Sequence, residues 1–308
     1  MNYGQQNYPL VSIITVNYNQ SEVTCELLKS LQNITYPNIE VIVIDNASSD
    51  NPQSIRQRFP NIILVLNPIN YGFAAGNNLG LMRAKGDYVL LLNNDTEVSP
   101  GFLEPLVRKV QTNPDIGAVS PKIRYFFAPQ KIQYAGYTPM NYITMRNFAI
   151  GYQETDTGQY DIDRETFYAH GAAMLVPMKL IREIGLMSYI FFLYYEEADW
   201  CERIKRAGYK IFYVHNSLVL HKESVSTGKL SELKIYYLNR NRLVFMRRNV
   251  DGKAFYLGLA YQLFFAIPKN SFYWLIKGKF SLFSAYYKAI GWNLSHLFDP
   301  EIHENPRL

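Results

Sequence analysis

Four short runs stand out in the hydrophobic pattern: "VSIITV" (11–16), "VIVID" (41–45), "IILVL" (62–66) and "YVLLL" (88–92). Each is rich in β-branched or aliphatic residues and apolar at successive rather than alternate positions. That predicts strands covered on both faces, as in a parallel sheet. Between them the spacing turns helical. Residues 21–31 place Val23, Leu27, Leu28 and Leu31 on one stripe, and 72–85, 100–111 and 196–207 read as further helices, the last stopped by Gly208. Strand alternating with helix predicts an α/β fold. No repeat or low-complexity linker divides residues 1–222. A boundary near His221 leaves 223–308 as a helical segment with breaks at Pro268, Gly278 and Gly291.

The 308 residues can bury a substantial core, and 48% hydrophobic with 19% charged residues is ordinary globular usage. Charge and aromatic content change the picture locally. Residues 223–308 carry 12 Lys+Arg against 6 Asp+Glu, leaving 19 against 20 in residues 1–222, and hold 17 of the 46 aromatic residues. A cationic, aromatic tail suits an anionic membrane surface, or else a packed helical cap or homodimer surface. The longest apolar stretch, 254–268, contains Gln262 and falls short of the ~20 residues that a spanning helix needs. Only Cys25 and Cys201 occur, and "MNYGQQNYPL" has no signal-peptide pattern. The expectation is a cytoplasmic chain, peripheral at the inner face of the cell membrane, with no nucleic-acid partner.

The strand 88–92 runs straight into Asn93, Asn94 and Asp95, bringing oxygen ligands to a sheet rim, where open α/β folds bind ligands. Asp95 beside Asn93 can hold Mg2+ or Mn2+ bridging nucleotide phosphates. By spacing alone, Asp95 or Thr96 can equally cap a helix near Pro100. His221, after the strand "SLVL", can complete a metal site with Asp95. Asp45 ends a strand before "NASSD", where it can accept from a nucleobase imide or cap the next helix. In "NYGFAAGNN" (70–78), Gly72, Ala74, Ala75 and Gly76 would let backbone N–H groups approach a diphosphate, or let a helix pack closely. No G-x-G-x-x-G follows the first strand, which removes the main signal of a nicotinamide enzyme. Glu196, Glu197 and Asp199 fall in a first helical turn, where the macrodipole favours acids. They also follow the aromatic run "YIFFLYY", and burial there would raise a carboxylate toward general-base range.

Taken in order, "VSIITVNYN", "VIVIDNASSD", "NYGFAAGNN", "LLNNDT", "HGAAMLV", "EEADWCERIKRAGYKI" and "YYLNRNRL" resemble the blocks of family 2 nucleotide-sugar glycosyltransferases, especially a bacterial rhamnosyltransferase-like branch, over roughly residues 9–250. The resemblance implies a GT-A fold for residues 1–222, a mostly parallel sheet flanked by helices. It implies Thr15, Asn17 and Asp45 around the base and ribose, Gly72, Phe73 and Asn77 lining the nucleotide pocket, and Asn93, Asn94 and Asp95 at the D-x-D-like motif. His170 would face donor or acceptor, and Arg240 and Arg242 would neutralise the leaving diphosphate. The general base falls on Glu197, with Glu196 and Asp199 as alternatives. Two positions depart from the pattern: Asn93 replaces an acid and Glu197 an Asp. The implied reaction is an inverting transfer from a dTDP- or UDP-sugar, dTDP-rhamnose first, to a hydroxyl of a glycan or lipid-linked acceptor in cell-surface polysaccharide synthesis. A non-catalytic GT-A-like binding or scaffold protein is the alternative, resting on those two departures.

Overall fold

The computed structural model describes residues 8–223 and 231–308. Its first half alternates as the pattern predicts: β1 (Val11–Asn17), α1 (Ser21–Leu31), β2 (Ile39–Asp45), α2 (Gln53–Arg58), β3 (Ile63–Leu66), α3 (Gly72–Leu81) and β4 (Tyr88–Leu92). The four strands lie parallel in the order β3-β2-β1-β4. Burial on both faces explains the continuous apolar runs of β1, β2 and β4, whereas β3 forms the sheet edge with Ile63 and Leu66 exposed. Ile14, Ile42, Ile44, Val89 and Leu91 enter one core, while Val11, Ile13, Val43, Leu90 and Leu92 enter the other, against α1. Each such side chain contributes roughly 1.5–3 kcal/mol when fully buried.

The second half departs from a purely parallel sheet. It comprises β5 (Thr96–Val98), α4 (Leu103–Thr112), β6 (Ile116–Tyr125), β7 (Ala128–Tyr134), β8 (Arg164–Thr166), β9 (Ala173–Pro177), α5 (Met178–Ile184), α6 (Glu196–Arg206) and β10 (Lys210–His221). β9 inserts antiparallel between β4 and β6, β10 runs parallel to β6, and β5 closes the edge antiparallel to β10. The β5–β10 pairing sets His221 opposite Thr96, next to Asp95. Because residues 96–98 form a strand, neither Asp95 nor Thr96 caps the helix that follows.

The tail is helical: α7 (Glu232–Asn249), α8 (Gly252–Tyr261), a π turn (Gln262–Ala266), α9 (Ile267–Ile276) and α10 (Phe280–Ser295). Gly278 separates α9 from α10 at φ +61°, as expected. The other two expected breaks do not occur. Gly291 lies inside α10. Pro268 is carried within continuous helix, because the preceding π turn relaxes the i−4 pattern with which its ring and missing N–H would conflict.

Candidate functional site

A cleft of about 540 Å3 opens over the carboxyl ends of β1, β2 and β4, the rim at which this class of sheet binds ligands. Asn93, Asn94, Asp95, His170 and His221 all line it, together with Gly72 and Phe73. Asp95 and His221 are buried, and Asp95 Oδ1 lies 3.1 Å from His221 Nε2. His221 Nδ1 is 2.8 Å from Gln133 Oε1, which orients the ring so that Nε2 faces the carboxylate. Asn93 Oδ1 is buried without a partner, an orphan acceptor that native structures rarely leave unsatisfied. Among the described residues no three His, Cys, Asp or Glu side chains group as a metal site. Two protein ligands, an orphan amide oxygen and an adjoining cavity nevertheless fit Mg2+ or Mn2+, which retain waters and take substrate phosphates as further ligands.

His170 is neutral: burial, with His221 as the next cause, pushes its pKa down to about 3. Its Nδ1 accepts from the Ala172 N–H at 3.0 Å, which leaves the proton on Nε2 as a donor. The ring stacks on Tyr137, with ring centroids 5.9 Å apart. Beyond the neighbouring Gly171 lies Glu197, close enough that a β-carbon there would meet its side chain at 3.5 Å. Glu196 and Glu197 begin α6, and both carboxyls are raised. For Glu196 burial is the main cause and the Glu197 charge the second. For Glu197 burial is partly offset by the Glu197 and Ala198 backbone N–H groups. Two such carboxyls do not ionise independently. Glu196 Oε2 has no partner, and Glu197 is the carboxyl that packs beside Gly171; neither is among the residues that line the cleft itself.

The bend delivering this pair is strained. Tyr194 and Tyr195 have φ +71° and +74°, a left-handed conformation costing roughly 1–3 kcal/mol per bulky residue. Gly72 locks the bend from the other side of the cleft. At φ +83° it tolerates no β-carbon, which would strike the Phe192 carbonyl, and that carbonyl accepts from the Phe73 N–H at 2.7 Å.

Several expected residues stand elsewhere. Thr15, Asn17 and Asp45 are buried behind the cleft wall and do not line it. Asn17 Nδ2 donates to Asp45 Oδ2 at 2.7 Å, and Asp45 Oδ1 accepts from the Ser48 N–H in a turn rather than capping α2. Thr24 Oγ1 donates to Asn17 Oδ1 and accepts from Asn94, so one hydrogen-bond chain ties three strand ends together. Asn77 bonds back to Phe73 O within α3. The α3 N-terminus offers no free N–H at its first two residues, because Asn70 Oδ1 takes that of Gly72 and Phe192 O that of Phe73. Gly76 packs closely on Val16 instead.

Asp199, a candidate base, is fully buried and accepts from Arg248 Nε and Nη2 at 2.7 and 2.9 Å and from Asn249 at 2.8 Å. Those bonds use both oxygens to anchor α7 on α6, which removes Asp199 from proton transfer. Arg240 donates to Asn241 and to the Ile190 carbonyl between the Tyr237 and Trp292 rings, and Arg242 donates to Tyr195 Oη and Asn239. Neither lines the cleft, where among the described residues Lys234 in the first turn of α7 is the cation instead. Lys234, Gln133, Asn46 and Tyr18 had not been singled out from the sequence. Asn46, inside "NASSD", and Tyr18, inside "VSIITVNYN", lie within quoted blocks, whereas Gln133 and Lys234 lie in none.

The Glycosyl transferase family 2 model matches residues 12–185. The N-acetylglucosaminyl-diphospho-decaprenol L-rhamnosyltransferase of Mycobacterium tuberculosis is 26% identical over 242 residues, 71% of this chain and 78% of that one. A low-salt glycan biosynthesis hexosyltransferase of Haloferax volcanii is 26% identical over 241 residues, 76% of this chain and 74% of its own. In fold, the chain resembles GalNAc-T7 with UDP, GalNAc and Mn2+ (TM-score 0.64, 16% identity, 79% of this chain and about half, 49%, of that one). It also resembles a Pyrobaculum calidifontis mannosyltransferase with GDP-Man and Mn2+ (TM-score 0.57, 17% identity, 96% and 89%).

Proposed function

The chain belongs to glycosyl transferase family 2, and from that premise we propose that it is an inverting enzyme moving a sugar, rhamnose first, from a dTDP- or UDP-linked donor to a hydroxyl of a lipid-linked or glycan acceptor in polysaccharide synthesis. The observation that carries this is the meeting of Asp95, His221 and the orphan Asn93 oxygen in one cleft. The rhamnosyltransferase relative supports the sugar and the lipid diphosphate acceptor.

In this mechanism Glu197 takes the acceptor proton as its oxygen attacks the anomeric carbon, and the nucleoside diphosphate leaves from the opposite face. One displacement inverts the centre. Glu196 stays protonated, His170 donates from Nε2 to a donor or acceptor oxygen, and Lys234 offsets the leaving charge. Asp95 and His221, with Asn93, would hold a divalent ion, which supplies further neutralisation of the diphosphate. Tyr18, Asn46 and Asn70 form the wall for base and ribose, with Thr15, Asn17 and Asp45 bracing it from behind.

A thermal-shift panel of dTDP, UDP and GDP, each with and without Mn2+, tests the donor class. dTDP or UDP is expected to raise the melting temperature only with the metal, since a ligand confined to the folded state must stabilise it. No stabilisation by any of the three would remove the donor site.

The tail supports attachment to an anionic membrane. Tyr256, Phe264, Phe265, Phe272, Ile276 and Phe280 are each at least 66% exposed. Residues 252–298 contain five Lys and no Asp or Glu. Among the described residues no helix is long and apolar enough to cross a membrane. Exposed aromatics among lysines suit insertion into the headgroup region of acidic lipid. Co-sedimentation with phosphatidylglycerol vesicles is expected, weakened by 0.5 M salt and by Phe264→Ser with Phe265→Ser. A chain that ignores such vesicles and runs as a dimer in light scattering would use this face for a second copy instead.

A further inference from the structure

The "YYLNRNRL" block is absorbed by neither diphosphate binding nor proton transfer, and its sixth residue has an arrangement of its own. Asn241 is completely buried in α7. Its Nδ2 donates to two consecutive carbonyls, Leu193 O and Tyr194 O, at 2.8 Å each, and its Oδ1 accepts from Arg240 Nε at 2.7 Å. One amide nitrogen can reach two successive carbonyl oxygens only where the peptide planes turn them to the same side, which an extended chain does not do. Here they are turned by the left-handed pair Tyr194 and Tyr195, the residues leading directly into Glu196 and Glu197. No side chain caps α6 at its N-terminus. A left-handed bend of two tyrosines persists only when its surroundings determine it. Part of those surroundings comes from α7: Arg240 also donates to Ile190 O, and Arg242 to Tyr195 Oη at 3.3 Å.

We infer that Asn241 is a positioning residue for the transfer reaction: its side-chain amide holds the Leu193–Tyr195 bend in the left-handed form that leads into the Glu196–Glu197 pair and sets Glu197 beside Gly171, next to the His170 that lines the cleft. It acts through the backbone and touches no substrate. The inference rests on that pair supplying the general base.

Asn241→Asp is nearly isosteric, keeps the acceptor for Arg240 and loses both donations. Relative to wild type, kcat is expected to fall about 100-fold, the scale of a 1 Å misplacement, while the donor KM stays within about twofold. The acidic limb of the kcat profile is expected to move to lower pH, since a relaxed bend admits water to the carboxyls. In a Tyr194→Gly background, where glycine takes the positive φ freely, the same substitution should cost less than tenfold. Equal losses in the two backgrounds, an unmoved pH limb, or kcat and KM changing together with the melting temperature would overturn the inference. If Asn241→Asp does not fold, Asn241→Ala measured with and without Tyr194→Gly makes the same comparison. Glu196→Gln and Glu197→Gln measured alongside separate the two failures. If neither lowers kcat, the base assignment fails; if one does and Asn241→Asp does not, only the positioning role fails.

Discussion

Glu197→Gln is expected to lower kcat by roughly 10²–10⁴-fold, the usual worth of a positioned general base, with little change in nucleotide affinity. The substitution keeps the shape of a side chain packed beside Gly171 and removes only the ability to take a proton. Donor hydrolysis and acceptor transfer, measured separately by product release, would show whether both reactions lose the same base. A Glu197→Gln enzyme with intact kcat would return the role to Glu196. The pH dependence has a definite sign. Burial raises the Glu197 carboxyl, so the unprotonated base is lost, and activity falls, at a higher pH than for an exposed carboxylate. Stability runs the other way. A carboxyl whose pKa is raised on folding binds its proton more tightly in the folded state, so the pair's contribution to stability declines as pH rises from the unfolded to the folded pKa. At neutral pH the pair therefore costs stability, and Glu196→Gln is expected to raise the melting temperature, as groups kept for function often do when removed.

Asp95→Ala should abolish the metal-dependent part of nucleoside diphosphate binding. At a hundredfold excess over its Kd a ligand stabilises by about 2.7 kcal/mol, and the variant should lose the Mn2+-dependent increment while unfolding cooperatively without ligand. The fold is expected to survive, because the Lys222 N–H bonds to the Asp95 backbone carbonyl rather than to its carboxylate. Calorimetric titration of dTDP or UDP with and without Mn2+ reads this directly. Equal metal dependence in wild type and variant would move the ion away from the Asp95–His221 pair.

The parallel half of the sheet was legible because its signal is local. A strand buried on both faces must be apolar at every position, and the runs at β1, β2 and β4 carry that mark within six residues each, while the edge strand β3 is apolar with Ile63 and Leu66 exposed. Asp95 was legible for the same reason, at the end of such a run. The antiparallel insertion of β9 was not, since "AMLVP" reads alike in either orientation and partners are chosen by distant chain. The partners of Asp199, Arg240 and Arg242 were not legible for a related reason. A charged residue in a motif looks available, whereas Asp199 meets Arg248 from 49 residues away and Arg240 meets Ile190 from 50.

By itself, then, the sequence determined the alternating α/β architecture, the polar strand ends and the acidic start of α6, all of which depend on periodicity and on residues close in the chain. The tertiary structure alone decided which polar groups meet. Asp95 and His221, 126 residues apart, converge because β5 pairs with β10. Gln133 reaches the same histidine from a hairpin with no recognisable motif. The raised pKa of both carboxyls at the start of α6 likewise comes first from burial, with the Glu197 charge also acting on Glu196, and both causes belong to packing rather than to the order of residues along the chain.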